Sequence, residues 1–277
     1  MIDVTPLKYG ETFKRAFRDP EVFCQFAHDV LGIKIKVDKV HTEYEYPKIS
    51  GFVKIKYDLF AEDLENWVIV EIQHVKEPDF FYRFLYYHLV SLVEQVRTHR
   101  EYGFDKTVYT IVVLTSVPRD ERVNFSVATS DFSPIDEFGR KIEVYPHRLI
   151  FLTPRLLNER TPESIKPWLA LIVDSLDGQI DETSHERPIF QKIIARIQSS
   201  ELSPEELSEV KDEVAWELRL SMERHEGHED GRQEAQEQIA LGMLKKGMDT
   251  MVVAELTGLA PEQVEKLRGK NGGLNST

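Results

Sequence analysis

The sequence has few of the features that build disulfides, membrane spans or secretion signals. It has one cysteine, Cys24, among 277 residues, which excludes an intramolecular disulfide and a cluster of cysteine thiolates around a metal. No run approaches the roughly 18 to 20 consecutive apolar residues of a membrane-spanning helix. The first residues, MIDVTPLKYGETFKRAF, contain no apolar signal-peptide core. We therefore expect a cytoplasmic protein without a membrane partner.

The sequence also lacks an excess of basic residues. Its 35 Lys and Arg against 48 Asp and Glu give a net charge of −13, whereas phosphate binding favours Lys and Arg. The overall charge therefore argues against a nucleic-acid partner. The distribution weakens that objection, since residues 1–155 carry 21 basic and 24 acidic residues, whereas residues 156–277 carry 14 and 24. The first part of the chain can still present a basic surface.

What is present is an ordinary globular composition, 41% hydrophobic and 30% charged. Residues 7–31 predict two amphipathic helices, with Asp19 as a cap before the second helix and Gly32 after its end. Three runs rich in β-branched and aromatic residues follow and predict strands: KIKVDKVHTEYEY, FVKIKYDLFAED and NWVIVEIQHV.

A long helix and further strands complete the first part of the chain. Residues 79–103 predict the helix, and the next run, KTVYTIVVLTS, is apolar throughout, which is typical of a central strand covered on both faces. Two shorter runs, NFSVATSDF and HRLIFLTP, predict the last strands. This order predicts an α/β fold in which helices flank a mixed sheet.

From about residue 156 the pattern predicts only helices. One of them starts at Ser203 and Pro204, where Glu206 completes a capping-box pattern. We predict three parts: a core over residues 1–155, an acidic helical extension over 156–240, and a small helix-turn-helix-like unit over 241–270. The terminal helix, PEQVEKLRGK, has two acids against three bases, so we expect this unit to make oligomer contacts or dock rather than read DNA.

Polar residues interrupt the predicted hairpin of residues 52–61 and 67–73. Glu71 and Gln73 project from the same face of their strand, and a short loop places Asp58 nearly opposite Glu71. Two carboxylates this close repel unless a proton or a cation lies between them. Hard oxygen ligands suit Mg²⁺, which supports hydrolysis of phosphodiesters.

Structural interpretations of the same residues remain open at this point. Asp58 follows Lys54 and Lys56 on the same face of its strand, which is also typical of an ordinary cross-strand salt bridge. Glu71 can likewise form a structural ion pair with Arg83 on the following helix.

The order of motifs resembles a known family. Asp58 followed thirteen residues later by Glu71-Ile72-Gln73 is similar to the D…(D/E)-x-K core of the PD-(D/E)XK nuclease superfamily. The segments YGETFKRAF, RFLYYHLVSLVEQ, TIVVLTS, EGHEDGRQE and LGMLKKGMD…AELTGLAPEQVEKL resemble the recombination-promoting nuclease/putative transposase family over nearly the whole chain. The resemblance implies a restriction-endonuclease-like fold and a Mg²⁺- or Mn²⁺-dependent DNA endonuclease linked to mobile elements and recombination.

The resemblance also implies roles for single residues. Asp58 and Glu71 match the metal ligands, and Gln73 stands where the superfamily has its lysine. Glu43, on the preceding strand, is a candidate further ligand or base. The first helix of the family often carries an acid where this chain has Gly10, with Glu11 beside it as the candidate. On the helix after the hairpin, Arg83 is the best-placed phosphate contact.

Gln73 motivates a rival function. Glutamine has neither the charge nor the basicity of lysine, so it positions water only by hydrogen bonding. The alternative is therefore a catalytically weak or inactive nuclease-fold module that binds DNA or a protein. A third interpretation is an assembly role for the acidic helical half, through homo-oligomer contacts.

Overall fold

The computed structural model describes residues 1–46, 55–74, 79–96, 103–117 and 120–272. The strands in these ranges are β1 (Ile2–Asp3), β2 (His41–Tyr44), β3 (Tyr57–Glu62), β4 (Asn66–Gln73), β5 (Thr107–Leu114), β6 (Val127–Asp131), β7 (Arg148–Leu152) and β8 (Gln179–Ile180). The helices are α1 (Gly10–Phe17), α2 (Pro20–Leu31), α3 (Phe80–Val93), α4 (Lys166–Asp174), α5 (Pro188–Ile197), α6 (Pro204–Lys245), α7 (Thr250–Thr257) and α8 (Pro261–Gly272). None of the helices in the described ranges combines the length and apolar character that crossing a membrane requires.

The predicted pair of N-terminal helices is confirmed, together with the signals that bound the second one. The Asp19 carboxylate accepts hydrogen bonds from the backbone N–H groups of Glu21 and Val22, at 3.0 and 3.2 Å. Gly32 ends α2 in the left-handed conformation, with φ at 72°. Local sequence therefore determines where α2 begins and ends.

Six strands form one mixed sheet in the order β2-β3-β4-β5-β7-β6. Strands β2, β3 and β4 are antiparallel neighbours, β4, β5 and β7 run parallel, and β6 is antiparallel to β7. The predicted central strand is β5, which is buried from Val108 to Leu114. The α/β fold class and its restriction-endonuclease-like mixed sheet are confirmed.

Helices cover both faces of the sheet. On one face α1, α2, α4 and α5 share a core that includes Phe17, Phe26, Trp168 and Phe190. On the other face α3 packs its aromatic residues against the strands, with Phe84 fully buried. Because α4 and α5 bury their apolar stripes against α1 and α2, they are part of the same core as the sheet.

The contacts divide the chain into two compact units, residues 1–213 and residues 214–277. The sequence predicted a division near residue 155 instead. In the second unit the end of α6 packs with α7 and α8 around Ala240, Val253 and Val264. A left-handed Gly258, with φ at 73°, begins the short turn between α7 and α8. These helices form the predicted terminal helix-turn-helix-like unit.

Two predicted elements are shorter than the sequence suggested. Strand β2 pairs with β3 only from His41 to Tyr44, so residues 34–40 of the predicted strand do not join the sheet. Helix α3 ends at Val93, ten residues before the predicted end, and residues 97–102 lie outside the described residues. Residues 52–54 of the predicted hairpin, including Lys54, also lie outside the described residues.

Candidate active site

Asp58 and Glu71 occupy opposite positions where the pairing of β3 and β4 ends. The register pairs Leu59 with Val70, so the next two residues face each other. The Asp58 backbone N–H donates to Glu71 Oε1 at 3.3 Å. The Ile72 backbone N–H donates to Asp58 Oδ2 at 2.9 Å. Side-chain carboxylates thus accept hydrogen bonds from the backbone of both strands, and the two acids are held close together.

Burial and mutual repulsion dominate the electrostatics of this pair. Glu71 is 2% exposed, and burial together with the charge of Asp58 raises its pKa well above the ordinary value. Burial also raises the pKa of Asp58, although the Ile72 N–H and the charge of Lys14 oppose that rise. Two neighbouring carboxylates, one of them buried, favour a proton or a cation between them.

Gln73 and Arg83 form a hydrogen-bonded unit beside the carboxylates. Gln73 is 8% exposed at the end of β4, and Arg83 Nη1 donates to its Oε1 at 3.1 Å. The guanidinium is held on α3 by Tyr87, whose hydroxyl accepts from Nε at 3.3 Å, and it lies over the rings of Phe84 and Tyr87. The charge of Arg83 also opposes the rise in the pKa of Glu71, so the guanidinium acts on both Glu71 and Gln73.

Lys14 brings together the two further acids that the sequence proposed. Its Nζ lies 3.0 Å from Glu11 Oε2 and forms a second ion pair with Glu43. Glu43 also pairs with Lys56, so its carboxylate has two lysine partners. The sequence left open a cross-strand salt bridge between Asp58 and Lys56. In the structure Lys56 forms an ion pair with Glu43.

Helix α6 contributes two acids that sequence reasoning did not connect with the site. Glu213 Oε2 accepts from the Gly10 N–H at 2.9 Å, and Oε1 accepts from the Glu11 N–H at 3.4 Å. A hydrogen bond to Glu11 raises the pKa of Glu209. One signal was available in the sequence: Tyr9 precedes α1 and makes no side-chain cap, so the first N–H groups of α1 need an acceptor from elsewhere.

The donor set fits a hard divalent cation held by two protein ligands. Asp58 and Glu71 supply carboxylate oxygens, and Mg²⁺ is commonly bound through one or two carboxylates with several waters. Among the described residues, no group of three or more His, Cys, Asp or Glu side chains is arranged to hold a metal. Asp58 and Glu71 are therefore the candidate ligands, and Glu11 and Glu43 are held by Lys14 instead.

The protein is thus a mixed-sheet α/β protein with paired carboxylates on two adjacent strands. The chain belongs to the family described as "PD-(D/E)XK nuclease family transposase", whose model matches residues 21–218. The model of the Rpn/YhgA-like nuclease family C-terminal HTH domain matches residues 233–269. These matches confirm the predicted family. The helix-turn-helix domain indicates a DNA partner, whereas the composition of its last helix had led us to expect oligomer contacts or docking. No curated protein and no solved structure matched the chain.

Proposed function

We propose that the protein is a divalent-metal-dependent DNA endonuclease associated with recombination or mobile elements. The observation that carries this proposal is the placement of the Asp58 and Glu71 carboxylates at facing strand positions, where each accepts a backbone hydrogen bond from the other's strand. A Mg²⁺ or Mn²⁺ ion at this point activates water and neutralises charge on the scissile phosphate. The family and its helix-turn-helix domain support DNA as the substrate.

The neighbouring residues have separate roles in this proposal. Asp58 and Glu71 hold the ion, and the Gln73 carboxamide orients water by hydrogen bonding. Arg83 contacts a phosphate oxygen, because its guanidinium is fixed beside Gln73 by α3. Glu43 and Glu11 act through Lys14 rather than as ligands.

The experiment is a Mn²⁺ titration of the parent protein and its Asp58→Ala and Glu71→Ala variants with mixed single- and double-stranded DNA. The parent cuts DNA in proportion to bound metal, and both variants lose at least about 100-fold in rate. Glu65→Ala is the matched control, since Glu65 is an exposed acid in the loop between β3 and β4. Equal cleavage by the parent and both site variants would show that the site assignment is wrong.

A second candidate is a nuclease-fold module that binds DNA or a protein without cutting. Gln73 favours it, because its carboxamide is engaged by Arg83 and carries no charge. This function predicts no cleavage with any divalent metal, together with DNA binding that weakens as salt rises. Metal-dependent turnover by purified protein eliminates it.

We also propose a cytoplasmic location and homo-oligomer contacts through the C-terminal helices. The acidic helical half supports an assembly role, and α6 to α8 provide the surface. A chain ending at residue 220 keeps the first compact unit, whose contacts end at residue 213. In sedimentation experiments this shortened chain is expected to be monomeric, whereas the full chain self-associates. The same oligomeric state for both chains would contradict the assembly role.

A further inference from the structure

Lys14 is a buried cation on the helix that packs against both strands of the candidate site. It is 9% exposed, and α1 contacts β3, which carries Asp58, and β4, which carries Glu71. Lysine is rarely buried without partners, because desolvating an ammonium group is costly. Its burial next to the site therefore requires an explanation.

The acids around Lys14 hold it in place. Glu11 lies one helical turn before it, with Oε2 at 3.0 Å from Nζ, and Glu43 reaches it from β2. Ion pairs of this kind offset the cost of desolvating a lysine. The side chain is thus fixed in position.

Neutralising Glu43 does not by itself account for Lys14, because Glu43 has a second cation in Lys56. The position of Glu43 ties Lys14 to the site: Glu43 lies between Thr42 and Tyr44, which pair with Leu59 and Tyr57 on either side of Asp58. The charge of Lys14, ahead of those of Arg83 and Lys56, also opposes the rise that burial causes in the pKa of Asp58. Lys14 is therefore held near the carboxylate of Asp58 by its ion pair with Glu43.

We propose that Lys14 supplies, from α1, the positive charge beside the scissile phosphate that Gln73 cannot supply from β4. This inference rests on the proposed nuclease function. During hydrolysis a water molecule loses a proton to solvent as its oxygen bonds to phosphorus, the bond from phosphorus to the leaving oxygen breaks, and that oxygen takes up a proton from solvent. The Lys14 ammonium stays protonated and stabilises the negative charge that builds up on the phosphate oxygens.

The experiment compares the parent with Lys14→Met, Lys14→Arg and the triple variant Lys14→Met/Glu11→Gln/Glu43→Gln. Cleavage is measured with Mn²⁺, DNA affinity with EDTA, and folding by the melting temperature. Lys56→Met is the matched control, because Lys56 also pairs with Glu43 but is 54% exposed. In Lys14→Met, the carboxylates of Glu11 and Glu43 lose their lysine partner, which can prevent folding. The triple variant replaces these two acids as well, so it is expected to fold.

Lys14→Met is expected to lower kcat by about 100-fold, while DNA affinity changes by less than about threefold. Lys14→Arg keeps at least about a tenth of the rate, since the charge is retained. Lys56→Met loses less than about fivefold, as expected for an exposed ion pair. In the triple variant the melting temperature returns to that of the parent but the cleavage rate does not.

Three results would overturn the inference: full cleavage by Lys14→Met, recovery of cleavage in the triple variant, or an equal loss in Lys56→Met. Recovery in the triple variant would mean that Lys14 only neutralises Glu11 and Glu43. Failure of the proposed function is recognised separately, by a parent that never cuts DNA or by Asp58→Ala cutting as well as the parent. In that case this inference fails with it.

Discussion

Asp58 and Glu71 each accept a backbone hydrogen bond from the strand that carries the other. Glu71 Oε1 accepts from the Asp58 N–H at 3.3 Å, and Asp58 Oδ2 accepts from the Ile72 N–H at 2.9 Å. The backbone therefore positions both carboxylates before any ion binds. The arrangement has a cost, because Glu71 is buried next to a second carboxyl, which raises its pKa well above the ordinary value.

Replacing Glu71 by glutamine is expected to change stability and activity in opposite directions. Glu71→Gln keeps an oxygen that accepts the Asp58 N–H but removes a buried carboxyl whose ionisation is opposed by burial and by Asp58. We expect the free energy of unfolding at pH 7 to rise by about 1 kcal/mol, measured by urea denaturation. Metal-dependent cleavage falls by at least about 100-fold.

Glu71→Ala is the comparison for that prediction. It also removes the carboxyl, but it leaves the Asp58 N–H without its acceptor, so it is less stable than Glu71→Gln by about 1 kcal/mol. A Glu71→Gln variant that unfolds more easily than the parent would mean that the buried carboxyl stabilises the fold.

Glu213 stabilises the start of α1 from a position 203 residues away in sequence. Glu213→Ala leaves the N–H groups of Gly10 and Glu11 without their acceptor, and we expect the free energy of unfolding to fall by about 1 to 2 kcal/mol. Asp212→Ala is the control, because Asp212 is exposed on the same helix and its loss is expected to change stability by less than about 0.5 kcal/mol. Equal stability of the two variants contradicts the capping role.

His88 makes the stability of the first unit depend on pH. Its ring is fully buried, Nδ1 lies 2.9 Å from Thr110 Oγ1, and the ring stacks on Phe132. Burial lowers the pKa of His88 to about 4, from 6.5. Because the unfolded chain binds this proton more readily, the stabilisation is complete above pH 6.5 and is lost as the pH falls towards 4.

The corresponding variant is His88→Gln, which keeps a hydrogen-bonding group near Thr110. Between pH 7 and pH 5 the parent is expected to lose about 2 kcal/mol more stability than this variant. Urea denaturation at both pH values measures the difference. Parallel losses in the two proteins would show that His88 is not the group that titrates.

Short-range patterns in the sequence predicted much of the fold. Asp19 and Gly32 bound α2 through contacts with their own neighbours, and Ser203 with Glu206 forms the predicted capping box at the start of α6. The alternation of β3 and β4 with a short loop predicted that Asp58 faces Glu71, since the register follows from local geometry.

The remaining features depend on contacts between distant parts of the chain. The pairing of Lys14 with Glu43, or of Glu213 with Gly10, could not be predicted, because no local pattern selects these partners. Likewise, the apolar stripe on α4 predicts that this helix is buried, but it does not predict which other elements the helix packs against. Trp168 packs against Phe26, so the first unit extends well past residue 155.

The most direct test of the site is Mn²⁺ binding measured by isothermal titration calorimetry. The parent is expected to bind a Mn²⁺ ion that the double variant Asp58→Asn/Glu71→Gln does not bind, whereas Glu65→Ala binds it as the parent does. Identical titrations for the parent and the double variant would contradict the claim that Asp58 and Glu71 hold the metal.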